Sequence, residues 1–325
     1  HQLKLLHRPL FKNFMPRKIL VTGGAGFIGS HIVEQALLRG DQVIIVDDFS
    51  TGKHQNVPVS DSITLYEADI RDKVKIRNIF ELTHPEIVFH EAAIASVQRS
   101  IEEPAFTRSV NVEGSRIIFE MARDYQVKTV VFASSAAIYG SDPALPKAES
   151  MVPKPISPYG EHKLENEQIA KHFSAQGGTT YVGLRYFNVF GPRQDPKSEY
   201  SGVISIFMDR VRGGEDILIH GDGLQSRDFV YVKDVVVANL LCAEKQDLSF
   251  GVYNVGAGSS TTIQQMAEAM FKANGVSPKI RYGRIREGDI RHSLADISSL
   301  KATTGFHPRY ELNAGLREMM LFPAN

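Results

Sequence analysis

The chain has 325 residues, enough for one large domain or two modest ones. Hydrophobic residues make up 42% and charged residues 23%, an ordinary globular composition, and 37 basic side chains balance 37 acidic ones. That balance excludes a global field for nucleic acid or an anionic membrane, and a single cysteine, Cys242, excludes a disulfide framework or a cysteine-built metal site. No apolar stretch approaches the ~20 residues of a transmembrane helix. The histidines show no metal-ligand spacing, and a reducing, cytoplasmic setting is expected.

Residues 1–14 are basic and lack acids, and they precede Met15, where a first strand begins to build. They are expected to be a tag or a disordered extension. Lys18–Thr22 then reads as a short apolar strand, Phe27–Arg39 as a helix stopped by Gly40, and Gln42–Val46 as a second strand ending at Asp47 and Asp48. Ile63–Glu67 is a third strand, Lys73–Leu82 a helix, and Ile87–His90 a fourth strand running into Glu91, Ala92 and Ala93. Pro104–Tyr125 reads as one long helix, and Thr129–Ala133 as a fifth strand that delivers Ser134 and Ser135. A helix follows from Tyr159 to about Gln176, then a strand at Tyr181–Phe187 ending at Asn188.

Strands alternating with helices predict an α/β fold, a Rossmann-type doubly wound parallel sheet, and strands apolar throughout fit burial on both faces. Beyond Gly191-Pro192 the pattern loosens. Val232–Glu244 reads as a helix, Tyr253–Val255 as a short strand, Gln264–Asn274 as a helix and Arg284–Ser293 as a polar loop. The expected division is a cofactor-binding domain over 15–190, rejoined near 230–258, and a smaller, discontinuous substrate lobe over most of 191–325.

The run Gly23-Gly-Ala-Gly26-Phe27-Ile28-Gly29 follows a strand and opens a helix. Glycines let the backbone approach a pyrophosphate, and the helix N-terminus favours its charge. Asp47, or Asp48, at the end of the second strand suits ribose hydroxyls and repels a 2′-phosphate, which favours NAD over NADP. A plain strand-end turn would also place an acid there. Tyr159 and Lys163 stand at i,i+4 on one helix face, where the ammonium is expected to pull the phenol's pKa down and make it a general base. Ser135 can orient the proton transfer, while Ser134 reads equally well as a strand-end turn residue. Among the loop arginines of the second half, Arg227 and Arg286 are candidate ligands for a diphosphate.

Thr22–Gly29, Ser134–Gly140, Tyr159-x-x-x-Lys163 and Leu184–Gly191 together resemble the extended short-chain dehydrogenase/reductases, and among them the nucleotide-sugar epimerases of the UDP-glucose 4-epimerase type. The resemblance covers the chain from about Met15 onward. It implies a retained NAD, Tyr159 removing the proton of the sugar's 4-hydroxyl, transient oxidation at C4, rotation of the 4-keto sugar and return of the hydride to its other face. It further implies Asp69 and Ile70 beside adenine, Ala92 and Ala93 along the cofactor, and Asn111 near the nicotinamide. On the substrate side it implies Ser96, Ser135, Asn188 and Gln194, with Arg227 and Arg286 on the diphosphate, Asp289 on the uridine ribose and Ser293 at the sugar.

Ala136 and Ala137 stand where the sugar 4,6-dehydratases of this family carry an Asp-Glu pair, so elimination lacks its proton carriers. The small Ser293, with Gly191–Pro196, resembles epimerases that admit an N-acetyl group. Ala95 and Ala137 depart from the family's Lys and Thr, and Ala95 removes one cofactor contact. The pair Pro104–Tyr125 and Pro158–Gln176 resembles the family's dimerising helices, so a homodimer is expected. The competing readings are a UDP-uronate epimerase or decarboxylase of the same fold, and a non-catalytic NAD-binding regulatory protein.

Overall fold

The computed structural model describes residues 16–195, 202–245, 248–285 and 290–322. In its first half β1 (Lys18–Thr22), α1 (Phe27–Leu38), β2 (Gln42–Asp47), β3 (Ile63–Glu67), α2 (Lys73–Thr83) and β4 (Ile87–His90) alternate. They continue into α3 (Val97–Glu102), α4 (Pro104–Arg108), α5 (Ser115–Asp124), β5 (Thr129–Ser135), α6 (Pro158–Ser174) and β6 (Thr180–Tyr186). The second half holds β7 (Asn188–Phe190), α7 (Val203–Arg212), β8 (Ile217–His220), β9 (Ser226–Arg227), β10 (Phe229–Tyr231), α8 (Val232–Ala243) and β11 (Phe250–Val255). It closes with β12 (Thr261–Thr262), α9 (Ile263–Asn274), β13 (Ile280–Gly283), α10 (Ser298–Thr304) and α11 (Leu312–Leu321).

Seven strands form one parallel sheet in the order β11-β6-β5-β4-β1-β2-β3. Successive side chains of β1 point to opposite faces. Ile19 and Val21 join Ile32, Val33 and Val235 from α1 and α8, while Leu20 joins Ile76, Phe119 and Ile169 from α2, α5 and α6. Each such aliphatic side chain removed from water contributes about 1.5–3 kcal/mol, and together they fix the helices on both faces. The strand order reverses between β1 and β4, and a crevice opens at such a switch point beyond the carboxyl ends of the strands.

The edge strand β3 departs from the expectation of two-sided burial, since Thr64, Leu65 and Glu67 are exposed. Pro104–Tyr125 is also not one regular helix. A π-helical turn at Ser109–Gly114 separates α4 from α5, and there the carbonyl of Asn111 accepts from the side chains of Ser115 and Asn166. A single widened turn leaves apolar periodicity intact, which is why the sequence pattern passes over it. A third apolar core, built from Phe190, Phe207, Ile219, Tyr231, Met266 and Leu316, holds α7, β8, α9 and α11 together beside the large sheet.

Candidate active site

Each sharp turn of the site has a local cause. Gly23 has φ 67, and a Cβ there would lie 2.8 Å from the amide nitrogen of Ala92. A Cβ on Gly29 would lie 2.1 Å from the carbonyl oxygen of Gly23. Only glycine permits both the left-handed turn and the close helix–strand approach. Helix α1 starts from Gly26 without a side-chain cap, so its first-turn N–H groups and dipole remain available to an anion. Helix α6 starts with Ser157, whose Oγ accepts from the Gly160 amide at 3.2 Å, and Pro158 fills the first helical position. That cap places Tyr159 and Lys163 in the first two turns.

These turns open onto one cavity of about 780 Å³. Its wall includes Gly23, Gly26, Phe27, Ile28 and Gly29 at one end and Ser135, Tyr159 and Lys163 at the other. Asp47, Asp48, Asp69, Ile70, Ala92, Ala93 and Gln194 also line it. The Asp47 carboxylate accepts from the backbone amides of Ala25 and Phe49, each at 2.9 Å, and burial raises its pKa. Asp48 accepts from the amide and hydroxyl of Ser50, and Asp69 is held below the usual carboxylate range by hydrogen bonds from Arg71. The glycine cradle, the uncapped helix and the strand-end acids fit a dinucleotide.

The Lys163 ammonium lies 5.7 Å from the centre of the Tyr159 ring and donates to the carbonyl of Ala133 at 2.8 Å. Burial lowers its pKa to about 8, against the opposing pull of Glu91. The expected depression of the Tyr159 pKa is not found in the protein alone. Burial raises it above 10, the Ser135 hydroxyl pulls it back, and the charge of Glu91 adds to the rise. Ser135 Oγ also accepts from the Ala137 amide at 3.1 Å. Ser134 instead donates to Glu167, at 2.6 Å, within a buried pair of that carboxylate with Arg185. His90, fully buried between Thr22 Oγ1 and Ser115 Oγ, is structural.

Several sequence candidates lie off the cavity wall. Ser96 is buried, and its Oγ caps α3 by accepting from the Arg99 amide at 2.7 Å. Asn111 is fully buried and binds the Ile94 backbone, so it supports the wall from behind. Asn188, Arg227 and Ser293 gather in a second group. The Asn188 amide donates to the Asp228 carbonyl, the Arg227 guanidinium to the Ser226 carbonyl at 2.9 Å, and the Ser293 amide to the same carbonyl at 3.1 Å. Phe187 and Val189, on either side of Asn188, line the cavity, so this group adjoins it. Arg286 and Asp289 lie outside the described residues, as does Pro196.

Glu91, Tyr186, Lys53, Arg193 and Asp195 also line the cavity, none of them among the site residues expected from the sequence. A carboxyl directly following the apolar strand Ile87–His90 was the available signal for Glu91. Lys53 and Asp195 pair at 3.1 Å, a contact that no local pattern encodes.

The sequence profile described as the NAD dependent epimerase/dehydratase family matches residues 19–256. Three solved structures are close in sequence and shape. The UDP-glucose 4-epimerase of Thermotoga maritima, solved with UDP-glucose, is 42% identical, with 93% of this chain and 97% of that one covered and a TM-score of 0.88. The UDP-N-acetylglucosamine 4-epimerase of Methanobrevibacter ruminantium, solved with UDP-N-acetylmuramic acid, is 40% identical over 94% of this chain and 97% of that one, with a TM-score of 0.89. The UDP-glucose 4-epimerase of Thermus thermophilus, solved with NAD, is 39% identical over 93% and 97%, with a TM-score of 0.85.

Proposed function

The chain belongs to the NAD-dependent epimerase/dehydratase family, and from that premise we propose that it interconverts UDP-hexoses at C4, taking UDP-GlcNAc and UDP-GalNAc as well as UDP-glucose and UDP-galactose. The observation that carries this is the meeting of Ser135, Tyr159 and Lys163 with the glycine cradle in one cavity. NAD is the cofactor, and bound there it supplies the oxidising and reducing equivalent for C4.

The residues of the chain do the rest. Gly23, Gly26 and Gly29, with the first amides of α1, hold the pyrophosphate. Asp47 and Asp48 take the adenosine ribose, with Asp69, Ile70, Ala92 and Ala93 beside the base and along the cofactor. Tyr159 takes the proton from the 4-hydroxyl and later returns it, Ser135 orients that transfer, and Lys163 holds positive charge beside the phenol. Because burial opposes the phenolate, Tyr159 relies on the Lys163 ammonium beside its ring to act as a base. Asn188, Gln194 and Arg227 hold the nucleotide sugar, with Arg286 and Asp289 assigned to it by resemblance. Ser293 leaves room for an N-acetyl group.

Ala136 and Ala137, in a 3₁₀ turn directly after Ser135, offer no acid or base for dehydration. A homodimer paired through the helical stretches Pro104–Tyr125 and Pro158–Gln176 is part of the same reading, by resemblance. The division into a cofactor domain over 15–190 with its return near 230–258, a substrate lobe beyond 191 and a cytoplasmic setting belong to the same proposal.

The test is incubation with NAD and either UDP-GlcNAc or UDP-glucose, with C4 configuration assigned by proton NMR. Conversion of both is expected. Carbon dioxide released from a UDP-uronate, with neither hexose converted, would replace this reading with decarboxylation.

A further inference from the structure

Glu91 stands directly after β4, where an apolar buried strand gives way to a carboxyl on the cavity wall. Its Oε1 accepts from the Tyr186 hydroxyl at 2.8 Å, and the Tyr186 hydroxyl oxygen in turn accepts from Asn239 Nδ2 at 2.8 Å. Asn239 Nδ2 also donates to the Val235 carbonyl at 2.9 Å, so a line of fixed partners runs from α8 through β6 to the carboxyl. β4 pairs with β5 up to His90 and Phe132, so Glu91 follows beside Ala133, whose carbonyl accepts from the Lys163 ammonium, and Glu91, Tyr159 and Lys163 line one cavity. The charge of Glu91 acts on both Lys163 and Tyr159. Tyr186 and Lys163 are the groups that pull on Glu91 itself, and Cys242 of α8 acts on Tyr186.

We propose that Glu91 is a positioning residue of the proton-transfer set, a carboxyl held by Tyr186 whose charge governs how readily Tyr159 becomes a phenolate and how firmly Lys163 keeps its proton. This rests on the epimerase reading and deepens it. An ionised Glu91 opposes the phenolate and favours the ammonium, and a protonated Glu91 releases both effects. The coupling is mutual, so the three groups titrate as one set. Burial pushes the Glu91 carboxyl up to about 7, against the pull of Tyr186 and Lys163.

Glu91→Gln keeps an acceptor for Tyr186 and removes the charge. In the holoenzyme the acid limb of kcat/KM is expected to move to lower pH by up to about one pH unit, the scale of one neighbouring charge at an effective dielectric near 20. A fall in rate at every pH with the limb unmoved would overturn the proposal and leave Glu91 a packing residue. Tyr186→Phe removes the bond that lowers the Glu91 pKa, so its limb should move in the same direction by less. That variant decides the matter if Glu91→Gln does not fold.

A second readout does not need turnover. The chain has no tryptophan, so tyrosinate absorbance is unmasked. Subtracting a Tyr159→Phe titration isolates the Tyr159 step, which Glu91→Gln should lower. An unmoved step contradicts the role of Glu91 whatever the substrate, whereas absent epimerisation with a moved step contradicts only the epimerase reading.

Discussion

Asn111 and Ile94 exchange two hydrogen bonds: the Ile94 amide donates to Asn111 Oδ1 at 2.7 Å, and Asn111 Nδ2 donates to the Ile94 carbonyl at 2.9 Å. The π turn carries Asn111, and Ile94 lines the cavity directly after Ala92 and Ala93. A helical irregularity therefore pins this stretch of the cavity wall. Asn111→Ala should leave the Ile94 backbone groups unpaired, at about 1–3 kcal/mol for a buried polar group. Weaker NAD binding by calorimetry and a lower melting temperature are expected together. A lower melting temperature with NAD affinity intact would separate Asn111 from the cofactor wall.

Tyr159→Phe should reduce kcat by about 10²–10⁴-fold, the range for loss of a positioned acid–base group. NAD binding and thermal stability should stay near wild type, since the ring is retained. Lys163→Met should reduce kcat and, since the resemblance also implies a contact of Lys163 with the nicotinamide ribose, weaken NAD binding as well. Steady-state kinetics beside NAD titration checks the contrast.

Ser293→Tyr should suppress turnover of the N-acetylated sugars by 10-fold or more, about the value of one steric misfit in a pocket, and spare UDP-glucose. Comparing kcat/KM for the two substrates settles it. Equal loss on both would remove Ser293 from the sugar pocket.

His90 contributes to the acid side of the stability curve. Burial, and then the charge of Lys163, lower its pKa from 6.5 to about 3. The unfolded chain therefore binds this proton first as pH falls. The contribution is complete above pH 6.5 and is lost progressively toward about pH 3, at about 1.4 kcal/mol per pH unit. His90→Asn should flatten the fall in urea midpoint between pH 6.5 and 5. An unchanged slope would assign the acid sensitivity to other groups.

The parts of the site that lie within one turn or one helix were legible in the sequence. Gly23, Gly26 and Gly29 act through local backbone shape, and Tyr159 and Lys163 through helical spacing. The Tyr186–Glu91 bond was not legible, because it depends on β4, β5 and β6 lying side by side. β7 and β10, three residues each, carry too little periodicity to read and are defined by pairing with one another. The raised Tyr159 pKa was missed for a related reason. Spacing gives Lys163 as a neighbour, but not the burial that raises the phenol.

The most direct test of C4 chemistry follows UDP-glucose carrying deuterium at C4 of the sugar, in ordinary water with the holoenzyme. Retention of the label at C4 of the UDP-galactose formed is predicted, because the hydride leaves and returns within one closed site. Loss of the label to solvent, or inversion at another carbon, would contradict it.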